Sequence, residues 1–179
     1  PLRLVGSEMC IRDSLYLIED MAEAEQKEIL ARVPKEERAA LTRALDYPEY
    51  TAGRLMQTEF VAIPDFWTAG RAIDHMRTEK DLPASFVEIY VVDTGFHLKG
   101  AVPLSRILRN PRDRKMIEIM DEEQTIFRVA DAQDEVAFKF EQYNLVSAAV
   151  VDEAGRLVGT IMVDDIVDVI QEEAEEDIL

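Results

Sequence analysis

The spacing of apolar residues divides the chain into a helical lead-in and a twofold repeat. Leu15, Ile18, Met21, Ala22, Ile29 and Val33 recur at helical intervals among Glu, Ala, Lys and Gln, and predict a helix over residues 15–33. Pro34 then stands where a first-turn proline is tolerated, with Glu36 and Glu37 suited to the positive end of a second helix. That helix buries Ala40, Leu41, Ala44 and Leu45 and ends at Asp46-Tyr47-Pro48. Two short helices cannot close a core, so they must dock on the rest of the chain or on further helices. From Arg54 the pattern repeats. Leu55-Met56 corresponds to Ile119-Met120, followed by β-like runs at Phe60–Ile63 and Thr125–Phe127. Helical patterns follow at Trp67–Thr78 and Asp131–Tyr143. Next come apolar runs closing on Val91-Val92-Asp93 and Val150-Val151-Asp152, turns at Gly95 and Gly155, and return strands Leu98–Val102 and Leu157–Met162. Asp93 to Gly100 and Asp152 to Gly159 have identical spacing, and a helix follows each return strand. Each half reads β-α-β-β-α, and two halves imply a pseudo-symmetric pair packed sheet against sheet.

The last stretch, Gly155 to Leu179, carries the candidate chemistry. Between Asp164 and Asp177 stand eight carboxylates, and no Lys or Arg follows Arg156. On a helix Asp165, Asp168, Glu172 and Glu176 share one face, with Ile166, Ile170, Ala174 and Ile178 as the opposing stripe. Like charges four apart each cost about 0.2–0.5 kcal/mol, and they crowd the helix end that favours cations. Such a face either stays in water or is neutralised by a hard cation, for which oxygen ligands suit Mg²⁺ and Ca²⁺. Asp165 also stands where a carboxylate caps the helix start.

Composition narrows the function classes. An apolar fraction of 47% with 32% charged residues is globular, and the net charge of −17 argues against nucleic acid and anionic lipid headgroups as partners. It favours cations or basic surfaces. One cysteine, Cys10, and two histidines, His75 and His97, leave no disulfide framework and no Cys- or His-based metal site. No window is long and apolar enough to span a bilayer. Residues 1–14 read as a non-native leader, and the helical pattern stops at Leu179 without a cap, as in a fragment. No P-loop, GxSxG, HExxH or dinucleotide fingerprint occurs, so catalysis is not expected.

The order of elements resembles a cystathionine-β-synthase (CBS) domain pair, and most closely the cytosolic part of the MgtE magnesium channels. The resemblance rests on Tyr47-Pro48-Glu49, Thr51-Ala52-Gly53-Arg54-Leu55-Met56 and Glu59-Phe60-Val61-Ala62. It rests also on Tyr90-Val91-Val92-Asp93, Val150-Val151-Asp152, and Val163-Asp164-Asp165-Ile166-Val167-Asp168-Val169-Ile170 with Glu172-Glu173-Ala174-Glu175-Glu176-Asp177. It implies an α+β fold, a tandem CBS (β-α-β-β-α) pair preceded by a short α-helical segment. Residues 15–53 would close an α-helical N-domain, 54–115 form the first CBS domain, and 116–179 form the second with the start of a connecting helix. The resemblance further implies a homodimer on the cytoplasmic face of a bacterial cell membrane, joined to a transmembrane pore domain of the same full-length chain. Such a module binds Mg²⁺ between cytosolic domains and closes the channel when Mg²⁺ suffices. The implied ligands are Asp165, Asp168, Glu173, Glu176 and Asp177, a backbone carbonyl at Gly53, and Asn144 where relatives often have an acidic residue. Asn144 brings no charge, so a site there is expected to be weaker. The competing reading is an adenine-nucleotide-sensing CBS regulatory protein. Its expected Ser/Thr and Asp positions are Pro103 and Arg106 in the first half and Met162 and Asp165 in the second, so nucleotide binding is expected to be weak or lost. The apolar faces of the repeat-ending helices (Ile107, Leu108; Ile166, Ile170) are expected to be partly exposed and to pair in a parallel two-fold dimer.

Overall fold

The computed structural model describes Ile18 and residues 21–176; the side chains at positions 36, 37, 40 and 172–176 lie outside the description. The lead-in comprises α1 (Glu23–Arg32) and α2 (Lys35–Leu45). Their shared cluster holds Ile18 and Leu41 at its centre, with Ile29, Leu30, Val33, Ala44 and Leu45 around them. The uninterrupted helix expected over residues 15–33 is not formed. Ala22 is extended (ψ 145°), and α1 begins after it. The amide of Gln26 donates to the carbonyls of Ile18 and Met21, binding the preceding turn without continuing the helix.

A short helix, α3 (Ala52–Leu55), then leads into two equivalent units. The first holds β1 (Ala62–Pro64), α4 (Ala69–Thr78), β2 (Glu88–Val92), β3 (Leu98–Pro103) and α5 (Leu104–Arg109). After α6 (Met116–Ile119), the second holds β4 (Ile126–Arg128), α7 (Gln133–Tyr143), β5 (Ser147–Val151), β6 (Leu157–Met162) and α8 (Val163–Glu176). Each unit forms a three-stranded sheet whose middle strand pairs parallel to the first and antiparallel to the third. The expected β-α-β-β-α order is therefore present twice.

The middle strands are buried on both faces, which explains their nearly continuous apolar runs. In β2, Ile89 and Val91 face the helices of their own unit, whereas Tyr90 and Val92 face the other sheet. In β5, Ala148 and Val150 pack inward, whereas Ala149 joins Tyr90, Val92, Ala101 and Leu157 between the sheets. The hairpin tips also meet there: Leu98 N–H donates to the Gly155 carbonyl and Leu157 N–H to that of Phe96.

The hairpin turns share one device. Asp93 Oδ1 accepts from the amides of Gly95 and His97, as Asp152 Oδ1 does from Ala154 and Arg156, which accounts for the identical spacing. The left-handed residue differs, however. Gly155 takes φ 79°, and its counterpart in the first hairpin is Phe96 at φ 66°, not Gly95. The Phe96 ring lies 6.4 Å from that of Phe60, a contact that offsets part of the backbone cost of about 1–2 kcal/mol.

Segments adjoining in sequence do not adjoin in space. Ala52 of α3 belongs to the second unit's core, whereas Met116 and Ile119 of α6 belong to the first unit's core. The two Leu/Ile-Met pairs thus cross over. Met56 lies against Gly159 and Met120 against Gly100, where an added Cβ would come within 2.5 Å and 2.9 Å of the methionine sulfurs. The chain needs glycine at both points because another segment passes directly over the strand.

Candidate functional site

The acidic helix α8 starts directly from β6, and its first turn decides which carboxylates can meet solvent. Ile166 and Val169 are buried in the second unit's core, so this side faces inward. Asp165 lies on the inward side too, only 2% exposed. Its two oxygens each accept a hydrogen bond from Gln57 Nε2 at 2.9 Å, and Oδ2 also accepts from the Met162 amide at 2.9 Å. The Met162 bond closes the start of the helix. The expected shared face of Asp165 and Asp168 is therefore corrected. A helix seated on a sheet buries more than one stripe, and Asp165 falls inside it, whereas Asp164 and Asp168 are exposed.

The remaining implied ligands are dispersed. Gly53 is buried in α3, its amide donating to the Val129 carbonyl at 2.9 Å, with the Tyr47 ring where a Cβ would stand. Asn144 is exposed and caps α7 in the left-handed conformation, φ 49° and ψ 46°, which asparagine tolerates well. The side chains of Glu173 and Glu176 and the whole of Asp177 lie outside the described residues. Among the described residues no three His, Cys, Asp or Glu side chains stand close enough to hold a metal ion. Asp168 suits a hydrated Mg²⁺, which keeps several waters and takes one or two carboxylates. Asp165, with its oxygens engaged and its side chain enclosed, does not suit one without rearrangement.

The apolar faces of the repeat-ending helices differ from expectation in part. Ile107 and Ile166 are fully buried, because each underlies its own unit; Leu108 is exposed and Ile170 half-buried as expected, and Val163 and Val167 are exposed as well.

A polar network across the two sheets has no counterpart in the sequence reading. Tyr90 Oη lies 2.7 Å from Thr160 Oγ1 and 3.1 Å from Glu88 Oε1, its one proton shared between these two acceptors. Thr160 donates to the Ala148 carbonyl, and Ser147 Oγ donates to Glu88 Oε1 at 2.6 Å. Burial, then the nearby Glu88 charge, holds the Tyr90 hydroxyl well above its ordinary value, outweighing the opposing hydrogen bond with Thr160. Tyr90, Thr160, Glu88 and Ser147 line a shallow groove together with Gln57, Glu59, Phe60, Phe86 and Met162, and no Lys or Arg is among the described residues lining it. The signal available in the sequence was polar residues, Tyr90, Ser147 and Thr160, inside otherwise apolar strands. Nearby, Arg106 Nη1 donates to Asp121 Oδ1 at 2.7 Å and to the Ile119 carbonyl at 3.0 Å. This guanidinium, at a position where nucleotide-sensing relatives are expected to carry Asp, is engaged within the fold.

Comparison with known proteins agrees with this architecture. Residues 117–172 match the CBS domain family. The magnesium transporter MgtE of Thermus thermophilus is 38% identical over 153 residues, covering 85% of this chain and 33% of that protein. This chain thus spans about a third of the length of the curated relatives it matches. The crystal structure of the soluble part of a magnesium transporter superposes with a TM-score of 0.83 at 30% identity, covering 92% of this chain and 64% of the other. The cytosolic domain of the Mg²⁺ channel MgtE in complex with ATP gives 0.81 at 30% identity, covering 88% and 64%. Among the described residues no helix is long and apolar enough to cross a membrane. Because the similarity runs from the helical lead-in through both CBS units, the chain belongs to the MgtE family of magnesium transporters, in the stretch that carries the CBS pair.

Proposed function

We propose that this chain is a Mg²⁺-sensing regulatory module of a magnesium transporter, at the cytoplasmic face of the membrane, that compacts as a CBS-pair homodimer when divalent cations bind. The observation that carries the reading is the uncompensated start of α8. Asp164 and Asp168 are exposed, make no ion pair or hydrogen bond among the described residues, and share a helix with no basic residue in its last turn. Repulsion along this helix, and between the helices of two copies, loosens the module without divalent cation. Hydrated Mg²⁺ held by Asp168 with Glu173, Glu176 and Asp177 removes it. Binding to the compact state alone stabilises it by about 2.7 kcal/mol per site at a hundredfold excess over Kd. Catalysis plays no part in this reading.

Thermal unfolding and limited proteolysis across a Mg²⁺ series, with Na⁺ at matched ionic strength as the control, test it. Asp168→Asn with Glu176→Gln removes most of the Mg²⁺ response and raises stability in its absence. If Na⁺ reproduces the Mg²⁺ effect, or the double variant responds like the parent, α8 is only a solvated acidic helix.

A second reading, adenine-nucleotide sensing, is favoured by the relative solved in complex with ATP and by the inter-sheet groove. The groove's Glu59 and Glu88 oppose phosphate. Isothermal titration with ATP, ADP and AMP, with and without Mg²⁺, separates the two. Tight binding independent of Mg²⁺ makes nucleotide sensing the better account.

A further inference from the structure

The helical lead-in precedes the first CBS unit in sequence but is built onto the second. Thr51 bridges to Ala132, Ala52 N–H donates to the Asp131 carbonyl at 2.8 Å, and Gly53 N–H donates to that of Val129. Gln57 and Thr160 exchange both backbone hydrogen bonds, at 2.8 and 2.9 Å. At its other end the same segment is held by the lead-in: the Tyr47 ring covers Gly53, and Arg54 Nη1 donates to the Ala44 carbonyl of α2. One side chain continues this path into the acidic helix. Gln57 Nε2 donates to both oxygens of Asp165, in the first turn of α8.

We propose that Gln57 is a positioning residue that couples the helical lead-in to the start of α8 directly, bypassing the first CBS unit. The pseudo-symmetry of the fold supplies the comparison. At the matching place in the first unit, Asp121 of the inter-unit linker meets Arg106 of α5. That pair is half exposed, at 39% and 51% for the side chains, whereas Asp165 is 2% exposed. A hydrogen bond to a carboxylate counts for more when buried, because its loss leaves the charge without solvent compensation. The tight clamp therefore sits on the helix that carries the acidic cluster, and the looser one on the helix that does not. The bond also fixes geometry, since an amide reaching both carboxylate oxygens holds the first turn of α8 at one distance from α3. A shift of the lead-in is thereby passed to α8 as a change in the orientation of its first turn.

The significance of this coupling for gating rests on the sensor reading above, but its test does not. Hydrogen exchange is measured residue by residue on this chain in buffer free of divalent cations, so its failure is distinct from failure of the Mg²⁺ response. Gln57→Ala speeds exchange in the first turns of α8 by about tenfold or more, the range for a lost hydrogen bond to a charged group, and leaves α5 unchanged. Arg106→Gln loosens α5 and leaves α8 unchanged. A merely structural role for Gln57 would instead raise exchange throughout the chain. Coupling itself is read from a double-variant cycle with Leu41→Ala, which loosens the lead-in core. Leu41→Ala speeds exchange in α8 of the parent but adds nothing in the Gln57→Ala background. If Leu41→Ala unfolds the lead-in, Leu45→Ala, at a half-buried position, replaces it. The proposal is overturned if loosening the lead-in leaves α8 untouched, affects α5 equally, or acts on α8 equally in both backgrounds.

Discussion

Removing the Tyr90 hydroxyl gives a stability difference that changes sign with pH. Tyr90→Phe keeps the ring and its edge contact with Phe60, at 6.2 Å between centroids, and deletes only Oη. Thr160 keeps its bond to the Ala148 carbonyl, and Glu88 keeps the bond from Ser147, so no partner is stranded. The cost near pH 8 is that of one buried hydrogen bond, about 1 kcal/mol. The sign of the pH effect follows from the raised folded-state pKa of Tyr90. Below about pH 10, the value in an unfolded chain, the hydroxyl is protonated in both states and its stabilisation is fully present. Above that, the unfolded chain ionises while the buried hydroxyl resists, and the parent loses about 1.4 kcal/mol per pH unit. The variant lacks this component, so the two stabilities meet about one unit above pH 10, and beyond it the variant is the more stable. Urea denaturation followed by circular dichroism, with the denaturant slope checked for constancy, measures both. A parent-minus-variant difference that stays constant from pH 8 to about pH 11 would refute the buried network, as would a variant no less stable at pH 8.

Two further outcomes follow from the crossed segments and the turns. Gly100→Ala brings a methyl group within 2.5 Å of the Asp121 carbonyl, a backbone atom that cannot swing aside, and is expected to cost about 1–3 kcal/mol in thermal unfolding. Asp152 is held below the usual carboxylate range, chiefly by the Arg156 amide. Its stabilisation is present above about pH 4 and lost as pH falls, so Asp152→Asn flattens the acid side of the stability profile while leaving neutral pH the less stable. Acid titration of the circular dichroism signal checks this.

Much of this protein is legible in one dimension because its determinants are local. The apolar runs that make β2 and β5, the Asp-to-Gly spacing of the hairpins and the proline before α2 act within a few residues. Periodicity therefore found both β-α-β-β-α units and their order. The density of acid after Asp164 likewise needs no structure to be seen. Three matters were decided only in three dimensions. The crossing of α3 and α6 onto opposite units depends on Met56 and Met120 finding Gly159 and Gly100, contacts between segments far apart in sequence. Asp165 reads on a helical wheel as one of an acidic row, yet the sheet beneath α8 takes in its side of the helix, and Gln57 satisfies it there. Tyr90, Ser147 and Thr160 are polar positions inside apolar strands, and only the packing of the two sheets supplies their partners. Local pattern fixes which face of an element is apolar, but what lies against that face is settled when the units pack, and packing determines which polar groups are enclosed and which carboxylates remain open to a cation.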